Sequence, residues 1–123
     1  MIVLFPSKTI YGDTEDFVAS VLQYAVRPTR LVIPPPYADP GMVITGITYS
    51  DGESERWGPW FPVGGYAPCE LFIPTSHAAL DLSFDMPVLA RGTELRVYFK
   101  NNNSASRIAS CSFEVRLFDE APD

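Results

Sequence analysis

A chain of 123 residues with 46% hydrophobic and 13% aromatic side chains suits one domain with a core of its own and excludes a disordered polymer. The formal charge is −6, and the nine Lys and Arg are scattered without a basic run, which argues against a nucleic-acid partner unless those cations converge on one face. No apolar run approaches the roughly 20 residues of a membrane-spanning helix, and the apolar start Met1–Pro6 lacks the basic flank of a signal peptide. A single domain over 1–123, made in the cytoplasm, is therefore expected.

The first element is a short strand, Ile2–Phe5. Residues 14–26 are ambiguous. Asp13 or Thr14 could cap a helix, with Glu15 and Asp16 in its first turn and Phe17, Val21, Tyr24 and Ala25 as its apolar stripe. The alternation of Phe17, Ala19, Val21, Gln23 and Ala25 fits a strand, which is preferred because the surrounding pattern is β. Arg27-Pro28 stops either element. Arg30–Ile33 is a second short strand. In Ile33–Pro40 three successive prolines preset an extended arm, suited to lying across a neighbour through Pro35 and Tyr37.

Met42–Tyr49 reads as a strand with Val43, Thr45, Ile47 and Tyr49 on one face and Ile44, Gly46 and Thr48 on the other. Asp51-Gly52 is a turn. The segment Arg56–Tyr66 carries Trp57, Trp60, Phe61 and Tyr66, broken by Gly and Pro, and cannot be one regular element. It can cover its own core, contact a partner subunit, or stack on sugars as a carbohydrate-binding platform.

Glu70–Ile73 and Leu80–Phe84 are further strand candidates. Gly92 ends a turn before Thr93–Lys100, where Leu95, Val97 and Phe99 point inward and Glu94, Arg96, Tyr98 and Lys100 outward. In Ile108–Phe118 the alternation is Cys111, Phe113, Val115 and Leu117 against Ser112, Glu114 and Arg116. Asn101–Ser104 between them suggests a β-hairpin over 93–118, with a loop of about five residues. The acidic tail Asp119–Asp123 follows. Seven or eight strands with Pro- and Gly-rich turns indicate an all-β fold: an antiparallel, jelly-roll-like β-sandwich.

Catalytic chemistry finds little footing. His77 is the only histidine, and a triad needs a base with its nucleophile and orienting partner. Asp13, Asp16, Asp51, Asp81 and Asp85 stand in no calcium-loop spacing and read as surface carboxylates. Cys69 and Cys111 fit neither a zinc nor a CxxC pattern and read as buried free thiols, with a disulfide open if their segments are neighbours. No enzyme activity, metal or cofactor is expected.

Three stretches carry a resemblance: Arg27-Pro28-Thr29-Arg30-Leu31-Val32-Ile33, Val43-Ile44-Thr45-Gly46-Ile47, and Gly92-Thr93-Glu94-Leu95-Arg96-Val97-Tyr98-Phe99-Lys100-Asn101-Asn102. Residues 27–117 resemble small β-sandwich virion proteins of bacteriophages, with a proline-led strand, a central strand and a late strand ending in Lys-Asn. The resemblance implies a capsid, capsid-decorating or other particle-surface role. It implies virion subunits as partners, homo-oligomeric packing and assembly in the host cytoplasm. It brings no catalytic residues.

Overall fold

A computed structural model describes residues 2–50, 55–57, 67–73 and 87–118. The chain is all-β, and every strand pair described is antiparallel. The strands are β1 (Ile2–Leu4), β2 (Lys8–Ile10), β3 (Glu15–Val21), β4 (Val26–Val32), β5 (Met42–Ser50), β6 (Glu55–Trp57), β7 (Ala67–Pro68), β8 (Glu94–Asn101), β9 (Arg107–Ala109) and β10 (Ser112–Leu117). They pair in three sheets, ordered β1-β10-β4, β2-β9 and β3-β8-β5-β6, with β7 also on β5. The ambiguous stretch is thus a strand over Glu15–Val21.

β1 and β2 flank Pro6, and they pair with β10 and β9 respectively, so the same two stretches of chain run together through both sheets. Proline has no N–H for a ladder, which suits the break between the two.

The buried residues form one cluster. Leu31, Ile33 and Phe113 come from the β1-β10-β4 side, while Ile44, Ile47, Leu95, Val97 and Phe99 come from the β3-β8-β5-β6 side, all with no exposed surface. The expected inward set Leu95, Val97 and Phe99 is found. β5 differs. Its register on β8 jumps between Ile44 and Gly46, leaving Thr45 as a bulge. Ile44 faces the core with Phe99, and after the bulge Ile47 and Tyr49 face it with Val97 and Leu95. Val43 and Thr45 therefore do not share a face with Ile47 and Tyr49, because one extra residue flips the phase. β4 repeats the device at Thr29, between Pro28 opposite Val115 and Arg30 opposite Glu114. Both bulge threonines donate their hydroxyl across to the partner strand, Thr29 to Glu114 O at 3.0 Å and Thr45 to Tyr98 O at 3.5 Å. Pro28 is tolerated inside β4 because it sits at this irregularity, so β4 starts at Val26 rather than Arg30.

Three expectations are corrected. Residues 93–118 are not a hairpin: β8 is held on both edges by β3 and β5, while β9 and β10 pair elsewhere. Glu70–Ile73 is not a strand, since Cys69–Phe72 is a 3₁₀ turn. The proline arm is not extended. Pro35–Tyr37 forms another 3₁₀ turn, closed by Tyr37 N–H to Pro34 O and Ala38 N–H to Pro35 O. Ten strand segments stand among the described residues where seven or eight were expected, several only two or three residues long. Leu80–Phe84, Asp51-Gly52 and His77 lie outside the described residues.

Candidate interaction surfaces

β1 ends its sheet, with no strand beside its outer edge among the described residues. Val3 points inward against Phe113, so period two turns Ile2 and Leu4 outward. They are 57% and 73% exposed, unusual for such side chains on a short edge strand. Across from them, the end of β3 and the turn after it expose Val21 and Tyr24, at 53% and 55%. These residues line a groove of about 290 Å³ with Ser20, Leu22, Gln23 and Val26. The turn is held by Leu22 N–H to Thr93 O and by the mutual bonds of Val26 and Leu89. Among the described residues the groove thus has one fixed wall and one open strand edge.

The outer face of β3-β8-β5-β6 is polar and internally matched. The Phe17 ring packs on Tyr98 at 5.2 Å, with the Arg96 guanidinium 4.5 Å and the Lys8 ammonium 5.0 Å from its centroid. The Glu55 carboxylate accepts bonds from the Thr48 and Tyr98 hydroxyls and faces Arg96 at 3.7 Å. Those contacts, the Thr48 bond first, hold the Glu55 carboxyl below its usual range. Arg96 also bonds Glu94. The Lys8–Asp16 pair beside them, 2.9 Å apart, has side chains 43% and 39% exposed, so water screens it and it adds little stability. The charges at Glu55, Arg96, Glu94, Lys8 and Asp16 are thus paired within this face.

Cys69 and Cys111 are both free and buried. Burial pushes the Cys69 thiol up to about 12, and it raises Cys111 as well, with Cys69 a further charge-based cause. Neither can be a thiolate nucleophile near neutral pH. Both should label with a thiol reagent only as fast as the protein unfolds, and rapid stoichiometric labelling of the native protein would contradict this burial.

Of the expected contact residues, Pro35, Tyr37 and the backbone of Trp57 lie among the described residues. Pro35 is exposed, while Tyr37 is half-buried against the core and lines a shallow cleft with Asp39, Arg107 and Ile108. Trp57 is placed by its backbone at the end of β6, opposite Thr48. Trp60, Phe61 and Tyr66 lie outside the described residues. The groove at β1 went unforeseen. The run Ile2-Val3-Leu4 reads as a strand, but nothing local says which of its edges is covered. Among the described residues, no group of three His, Cys, Asp or Glu could hold a metal, and no helix is long and apolar enough to cross a membrane.

Comparison with family models, curated proteins and solved structures finds no match to this chain.

Proposed function

We propose that this chain is a structural subunit of a virion or similar particle, a jelly-roll-like β-sandwich that works by self-association and subunit packing. The observation that carries the reading is the groove at β1, where Ile2, Leu4, Val21 and Tyr24 expose apolar surface beside a strand edge that is unpaired among the described residues. A second copy could add a strand to that edge and fill the groove, gaining backbone hydrogen bonds and apolar burial together. The phage-protein resemblance over residues 27–117 supplies the particle. Virion subunits are then the partners, with assembly in the host cytoplasm, and no catalytic step is assigned.

Light scattering and native mass spectrometry at micromolar concentration test the reading. The native chain should form a defined oligomer. Burial of each large side chain is worth about 1.5–3 kcal/mol, so Leu4→Glu with Tyr24→Glu should weaken association by about a hundredfold or more and leave a folded monomer. Trp57→Ala with Trp60→Ala examines the aromatic segment as a second contact, with about thirtyfold weakening expected if it is an anchor. A native chain that stays monomeric at all these concentrations defeats the proposal. Defined glycan binding by that monomer, lost in the tryptophan variant, would point to a carbohydrate-binding module instead.

A further inference from the structure

The outer face of β1-β10-β4 gathers charge that the sequence scatters. The β10–β4 register sets Glu114 opposite Arg30 and Arg116 opposite Arg27. The first row is matched, with Arg30 Nη1 4.0 Å from Glu114 Oε2. The second sets two cations side by side, an arrangement that costs stability in an antiparallel pair. Phe118 holds both of them: the Arg116 and Arg27 guanidinium groups lie 5.4 Å and 6.0 Å from its ring centroid. The ring attracts each cation but does not cancel their repulsion. Arg27 Nε is buried and has no hydrogen-bond partner among the described residues. Among the described residues, the Arg27–Arg116 pair thus stands beside the matched Arg30–Glu114 row without a carboxylate of its own, in a chain whose formal charge is −6.

Among the described residues, no carboxylate is paired with Arg27 or Arg116. Two planar donors held against one ring suit the paired oxygens of a carboxylate. A continuous phosphate backbone fits less well, since Glu114 stands within the patch and the whole chain is acidic. A peptide can place carboxylates at intervals and leave Glu114 facing a neutral residue.

We propose that the outer face of β1-β10-β4 docks an acidic segment of a partner protein, with its carboxylates seated between Arg27 and Arg116 and beside Arg30. Charge complementarity selects the partner. Pre-orientation by Phe118 lowers the entropy lost on binding. This docking does not depend on self-association through β1.

The probe is a fluorescein-labelled Glu-Gly repeat peptide, read by anisotropy against the full chain at low and at physiological salt. The native chain should bind it, more weakly as salt rises. Arg27→Ala with Arg116→Ala should weaken binding at least tenfold, whereas Arg91→Ala with Lys100→Ala, the same charge change elsewhere, should leave it unchanged. Arg116→Ala alone, at an exposed position, keeps the test available if the double variant fails to fold. Asp119→Asn with Glu120→Gln, just after Phe118 in the chain, should bind at least as tightly as the native chain. The proposal is overturned if the native chain does not bind the peptide, or if loss of these arginines has no effect. It is also overturned if neutralising Asp119 and Glu120 weakens binding, or if an oligothymidine binds through the same arginines more tightly than the peptide. Light scattering on the arginine variants separates the two proposals: they should self-associate as the native chain does.

Discussion

Phe113→Ala is expected to lower the free energy of unfolding by about 3–5 kcal/mol, the usual cost of emptying a buried phenylalanine site. Phe113 has no exposed surface. It lies on the central strand of its sheet, between Val3 of β1 and Leu31 of β4, and its ring meets Phe5 at 5.8 Å with a 55° tilt. Three elements would lose contacts at once, and antiparallel partners on both sides leave little freedom to collapse onto the hole. Urea unfolding should show a lower midpoint with an unchanged slope. Tyr98→Ala is the contrast. Tyr98 lies on the outer face of β8, half-exposed, with Phe17 and Glu55 as partners, and should cost about 1 kcal/mol. Equal costs at the two positions would mean that the outer face of β8 is buried as deeply as the core.

Asn101 is expected to be nearly as sensitive, for an electrostatic reason. It is fully buried. Its amide nitrogen donates to Ile10 O at 3.1 Å and Ala105 O at 2.9 Å, and its side-chain oxygen accepts from Asn103 N–H at 2.9 Å. One side chain thus ties the end of β8 to β2 and to the crossover leading to β9. Asn101→Ala removes all three bonds and strands two carbonyls, a loss of about 2–4 kcal/mol. Asn101→Asp keeps the shape but exchanges the donor for a carboxylate aimed at carbonyl oxygens. Burial and those oxygens raise the folded-state pKa of such an aspartate above its unfolded value of about 3.9. The variant is then least stable relative to the native chain above its folded-state pKa, and recovers as the pH falls toward 4 and the acid regains an O–H donor. Thermal melts of both proteins across that range check the sign. A pH-independent difference would show that the side chain turns out to water.

Period two is a property of each strand's own backbone, so it can be read wherever a strand runs straight. Leu95, Val97 and Phe99 were legible as an inward face for that reason, as was the strand character of Glu15–Val21. The alternation needs only the residue and its neighbours two along. A bulge is different. Nothing in Val43-Ile44-Thr45-Gly46-Ile47 marks Thr45 as the extra residue, because a bulge is defined by two strands together. The same holds for Thr29, and so for Pro28 lying inside a strand that it seemed to end. Pairing is a competition among distant segments. Thr93–Phe118 carries a hairpin's pattern, yet β3 and β5 take both edges of β8, and Asn101 steers the chain out of that sheet. The candidate surfaces belong to the same class. Arg27, Arg30 and Arg116 are scattered cations in the sequence, and Ile2 and Leu4 an unremarkable apolar start. Only the β1-β10-β4 register places the arginines on one face and, among the described residues, leaves the edge beside Ile2 and Leu4 open. The sequence alone determined an all-β chain and one of its core faces, since those follow from local sterics. Strand neighbours, bulge positions and exposed faces were decided by contacts between residues far apart in the chain, where the free energy of burial and pairing is settled.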